Sequence, residues 1–113
     1  MTIGIKRVWD PRETTDGSRW LVSRRWPPGV ASDSLAMIGW IRELAPDRNL
    51  EKLMKRSWSD FEKAFVGTLP SLERYWEPIV RQARLGEVTL LYTTKDRQHN
   101  HARILAEFLN DQL

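Results

Sequence analysis

Four side chains able to meet an anion alternate along one short stretch: Lys95, Arg97, His99 and His101. They follow Glu87-Val-Thr-Leu-Leu-Tyr92, an apolar and β-branched run that reads as a buried strand, and they lead into a helical pattern. The first N–H groups of a helix lack intrahelical partners and carry the positive end of its dipole, so phosphate or carboxylate is favoured there. Tyr92 closes the strand, where open α/β sheets place ligands, and its phenol could serve as a general acid or a phosphate ligand. A second set, Arg24, Arg25 and Trp26, precedes Pro27-Pro28-Gly29. Two prolines fix the backbone and remove donors, so the turn is rigid. An arginine pair beside an indole can pair with a phosphate and stack on a base, as in single-strand nucleic-acid binders.

Each set also has a plain structural use. The 95–101 stretch can be a solvated loop with one histidine packed on the helix, and His101, on the side of Leu105 and Phe108, is then the more buried. Trp26 can pack under its turn and leave both arginines in water. The leading functional expectation is a binding module for a phosphate-bearing small molecule or nucleic acid, built from Arg24, Arg25, Trp26, Tyr92, Lys95, Arg97, His99 and His101. One alternative is a hydrolase or phosphoryl-transfer enzyme with His99 or His101 as base, assisted by Tyr92 or Asp96. Another is a protein-interaction module working through tryptophans. Asp10, Asp96 and Glu107 show no paired spacing that demands acid–base chemistry, and no phosphate-loop or dinucleotide fingerprint is present. His99 and His101 are two apart and would diverge on a helix, so no metal is expected, and no cofactor.

Composition narrows the classes. A chain of 113 residues fits one domain with a real core, and 41% hydrophobic against 29% charged residues is ordinary for a globular protein. Cysteine is absent, which excludes disulfides, thiolate catalysis and cysteine-held metal. Apolar runs too short for a bilayer and a start unlike a secretory signal point to a cytoplasmic protein with no membrane contact. A net charge of +3 is only a weak pointer to nucleic acid, although basic residues cluster at 19–25 and again at Arg48, Lys52, Lys55 and Arg56. Six tryptophans pack core and edges, and any exposed remainder suits a homodimer as well as a monomer.

The positioning elements read as α/β: a small sheet of three to four strands, from segments near 3–8, 18–24 and 87–93, covered by helices. The first two strands either pair directly or flank another. Ser32-Asp33-Ser34 offers a cap for a helix through Met37 and Leu44 ending at Pro46, with a short strand at 37–41 as the competing reading. Leu50 to Phe65 forms one bent helix or two short ones, with Ser57 and Asp60 placed to cap the second. Pro70 opens a further helix that Pro78 should kink or restart, and Gly86 suits a left-handed cap.

Three stretches taken together carry a resemblance: Arg24-Arg-Trp-Pro-Pro-Gly29, Trp40-Ile-Arg-Glu-Leu-Ala-Pro46, and Leu90-Leu-Tyr92 leading to Asp96, His99-Asn-His101 and Leu105-Ala-Glu-Phe108. Their order and separation resemble the YeaO-like family of small uncharacterised bacterial and archaeal proteins, a domain of unknown function, over nearly the whole chain. The resemblance implies a compact α/β domain and no established activity. Family members tend to carry an acidic residue at the place of Ser23, leucine at Arg25 and arginine at Pro28. A related branch has cysteines where this chain has Tyr92 and Asn100, so thiol chemistry does not transfer.

Overall fold

The computed structural model describes residues 2–113. Its centre is β4 (Val88–Tyr92), the apolar run, with every residue buried. Strand β1 (Ile3–Arg7) pairs with it on one side and β2 (Ser18–Leu21) on the other, and β3 (Gly39–Trp40) adds beyond β2. All three pairings are parallel, with Ile5 opposite Leu90 and Leu21 opposite Leu91. A strand hydrogen-bonded on both edges and packed on both faces has no exposed side to make polar, which is why β4 does not alternate.

Alternate residues feed two cores. Ile3, Trp20, Val22, Leu90 and Tyr92 meet the helices α2 (Trp58–Thr68), α3 (Glu73–Ala83) and α4 (His101–Asn110). Phe61, Phe65, Ile79, Leu105 and Leu109 are the helical side of that core, each at most 1% exposed. On the opposite face Val8, Leu21 and Leu91 are covered by Leu35 and by parts of Trp26, Val30 and Met37 from connections and of Trp40 from β3, with no helix among them. Each fully buried aliphatic side chain contributes about 2 kcal/mol, so the helical face carries most of the stabilisation.

Several expectations need correcting. Residues 32–46 form no α-helix: a turn is followed by β3 and a 3-10 turn at Arg42–Leu44. Gly39 is a poor helix former, and here the chain runs beside β2, with the Ile38 and Ile41 N–H groups donating to the Arg19 and Leu21 carbonyls. The next apolar stripe is the two-helix alternative, α1 (Arg48–Arg56) and α2, joined as expected at Ser57, whose hydroxyl accepts from the Asp60 N–H. Pro78 does not interrupt α3 although it stands inside the helix and supplies no N–H for the Arg74 carbonyl; Trp76, Ile79, Val80 and Ala83 hold the helix to the core across it. Left-handed backbone occurs at Gly17 and Gly29, not Gly86. At Gly17 it is obligatory, since a Cβ would lie 1.9 Å from the Glu87 carbonyl oxygen. Strand β2 stops at Leu21 rather than Arg24.

Candidate functional site

Two chain segments leave the carboxyl ends of the central strands side by side. The one after β2 is pinned before it can spread. The Ser23 hydroxyl donates to the Arg25 carbonyl at 2.6 Å, and the Trp40 indole N–H donates to the Ser23 carbonyl at 2.6 Å. Trp26 is half-buried, edge-on to Trp40 at 5.4 Å, and its N–H donates to the Val30 carbonyl. The indole therefore builds the turn. Arg24 is half-buried and Arg25 exposed.

The segment after β4 runs through Thr93 and Thr94 to α4. Asn100 is fully buried and caps this helix, its side-chain oxygen accepting from the Arg103 N–H at 2.9 Å. His101, one position further, reaches back to the sheet and its Nε2 lies 2.6 Å from the Val22 carbonyl oxygen. A carbonyl can only accept, so Nε2 carries the proton. Burial pushes the imidazole below its ordinary value, against the opposing pull of the carbonyl and of Glu51, so His101 is uncharged at neutral pH.

Between the two segments lies a cavity of about 500 Å³. Ser23, Arg24, Arg25, Trp26 and Pro28 line it from the first, Thr93, Thr94 and His101 from the second. Ala45, Pro46, Glu51 and Met54 close it from the approach to α1 and from α1 itself. The volume is in the range of small-molecule pockets, and its position at strand carboxyl ends is where α/β sheets take ligands. Charge enters as two guanidiniums and one carboxylate, with Arg24 Nη2 and Glu51 Oε1 paired at 3.2 Å.

A family model described as the inactive DUF488-N3 subclade matches residues 2–113. The uncharacterised protein YeaO of Escherichia coli strain K12 is 35% identical over 112 residues, covering 96% of this chain and 97% of that relative. The chain belongs to the YeaO-like DUF488 family. Uncharacterised proteins of Mycobacterium bovis and Mycobacterium tuberculosis are each 29% identical over 117 residues, covering 96% of this chain and 93% of theirs. No solved structure matches.

The eight residues singled out in this DUF488 chain divide in two. Arg24, Arg25, Trp26 and His101 line the cavity; Tyr92, Lys95, Arg97 and His99 do not. Tyr92 is 2% exposed and belongs to the core. Arg97 is spent on Asp10 through two hydrogen bonds of 2.9 and 2.8 Å, which hold the Asp10 carboxyl down to about 2. His99 stacks on the Trp58 ring at 4.5 Å and 7°. Lys95 is exposed. The loop before α4 is satisfied from within, because the Asp96 carboxylate accepts the Gln98 and His99 N–H groups at 2.9 Å and is held below its usual range by them. The helix start is thus not the open anion socket that the sequence suggests.

Sequence reasoning missed Glu51, Thr93, Thr94 and Met54 as cavity residues. Glu51 reads as an ordinary first-turn acid of an exposed helix, and nothing local says that α1 folds back over the end of β2. Among the described residues, no group of three or more His, Asp or Glu side chains is arranged to hold a metal. No helix there is long and apolar enough to cross a membrane.

Proposed function

We propose that this chain is a non-catalytic binding module for a small phosphate-bearing ligand, held in the cavity at the carboxyl ends of β2 and β4. The observation that carries the reading is convergence: Arg24 and Arg25 after β2 share one small-molecule-sized cavity with Thr93, Thr94 and His101 after β4. Guanidiniums supply planar pairs of donors to phosphate oxygens, hydroxyls supply more, and the turn that presents them is tied down in advance. With its Nε2–H given to the Val22 carbonyl, neutral His101 offers only the acceptor Nδ1 there, for a ligand O–H or N–H, and no charge.

Three observations weigh against the enzyme alternative. Asp96 serves as a cap, Tyr92 lies in the core, and no carboxylate hydrogen-bonds the His101 ring, which is 7% exposed with its Nε2 against the Val22 carbonyl. The matching family model is itself described as inactive. Ser23, Arg25 and Pro28, where the chain departs from the family pattern, all line this cavity.

Isothermal titration with adenosine monophosphate, inorganic phosphate and a short single-stranded oligonucleotide, at low and moderate salt, tests the proposal. Salt-sensitive binding of the mononucleotide is expected, weakened about tenfold or more by replacing Arg24 and Arg25 together with alanine. Absence of binding to every probe ends the reading. An oligonucleotide bound far more tightly, with a steep salt slope, would replace it by nucleic-acid recognition.

A further inference from the structure

A carboxylate has no reason to line a cavity that takes only anions. Glu51 stands in this one, 3.2 Å from the Arg24 guanidinium, and His101 lines the same cavity. Both partners are only partly covered, with 28% of the Arg24 side chain and 36% of the Glu51 side chain exposed, so an incoming molecule meets both. Resting on the anion-site reading above, we infer that Glu51 is the specificity-determining residue of the cavity: it selects a phosphomonoester that carries its own hydroxyl donors and turns away ligands that are anionic throughout.

The chemistry follows from what each group accepts. An ionised carboxylate is an acceptor only, so the part of the ligand beside Glu51 must bring O–H or N–H donors, and a vicinal diol fits two carboxylate oxygens. The guanidiniums are donors only, and they take the phosphate. A ligand anionic at both ends would set a second negative group against Glu51, inside a space walled on other sides by Met54, Ala45 and Pro46, where screening is weaker than in water. A ligand without a phosphate would leave Arg24 with Glu51, as it stands in the free protein. A nucleoside monophosphate meets all three conditions of size, charge and donors.

Matched titrations of the full chain and the E51Q variant with adenosine monophosphate and with its dideoxy counterpart, which lacks the diol, test this. In the parent the diol-bearing nucleotide is expected to bind about tenfold more tightly. In E51Q the two affinities are expected to converge, while inorganic pyrophosphate gains about tenfold over its parent affinity. Equal affinities in the parent, or a preference that survives E51Q, overturn the role of Glu51 and leave the anion site standing. Failure of both proteins to bind any of the three probes overturns the anion site itself. If E51Q loses the native near-ultraviolet dichroism, E51A reads the same contrast on the exposed helix α1, and a diol preference that survives it overturns the inference.

Discussion

At the scale of single residues, His101 does two jobs that conflict on acidification. Its Nε2–H closes the carbonyl of Val22 just beyond β2, and its ring sits among Phe65 and other core groups with 7% exposed. Because the folded state holds it neutral, the unfolded chain binds the proton more readily. The contribution of neutral His101 is therefore complete above the ordinary histidine value of about 6.5 and is lost as pH falls from there toward the depressed folded value. Over that window the slope reaches about 1.4 kcal/mol per pH unit at most. Urea denaturation at a series of pH values is expected to show this decline in the parent and a flatter profile in H101Q, which keeps a donor but cannot titrate. The same slope in both proteins would assign the acid sensitivity elsewhere.

At the scale of elements, an edge strand next to a helix shows how a parallel sheet ends. Successive residues of β1 point their peptide groups alternately toward β4 and away from it, and the outward groups would template another strand. Asn110, in the last turn of α4, closes the Ile3 position with both ends of its carboxamide, at 3.2 Å to the N–H and 3.0 Å to the carbonyl. The Arg7 N–H is closed by the Asp10 carboxylate at 3.0 Å. The opposite edge, β3, is only two residues long. Replacing Asn110 with alanine is expected to cost about 1–2 kcal/mol, from two lost hydrogen bonds on a partly buried edge. It is also expected to increase self-association over the parent at equal concentration, as read by sedimentation velocity. An unchanged sedimentation profile would show that Asn110 stabilises the edge without guarding it.

For the whole molecule, the two faces of the sheet are held by different physics. Helices cover one face with apolar side chains. On the other, beside the smaller apolar cluster of Val8, Leu21, Leu35 and Leu91, the connection between β1 and β2 is clamped by an ion network: Asp16 meets Lys6 at 2.7 Å and Arg19 at 2.5 Å, and Lys6 also meets Glu13 at 2.8 Å. Asp16 and Arg19 are each 5% exposed, and the Thr89 hydroxyl of β4 donates to the Asp16 carbonyl. Burial opposes ionisation of Asp16, yet the donors around it win and hold its carboxyl below the usual value. Removing that carboxylate strands a buried guanidinium. The D16A variant is accordingly expected to lose about 3–5 kcal/mol in equilibrium denaturation, while a loss under about 1 kcal/mol would mean that water replaces the network freely. Helix α1, which lends Glu51 and Met54 to the cavity, also exposes Arg48, Lys52, Lys55 and Arg56, positive charge able to steer an anion toward this part of the molecule.

The sequence by itself determined the elements whose signals are local. An unbroken apolar run marked β4, spaced apolar residues marked the helices from Leu50 onward but also one through Met37 and Leu44 that does not form, and prolines and glycines marked the turn at Pro27 to Gly29. The same reading placed an α/β sheet but left open whether the first two strands pair or flank another, and the order β1-β4-β2-β3 settles it. Only the tertiary structure decided which residues meet. Lys95, Arg97 and His99 look like one site with His101 because they are adjacent along the chain, yet Asp10 and Trp58, distant in sequence, claim Arg97 and His99. Glu51 looks like a helix-start acid and instead faces Arg24 across the cavity. A β-strand fixes only the direction in which its chain leaves. What stands opposite that exit is set by how distant segments pack against each other, and no local pattern records it.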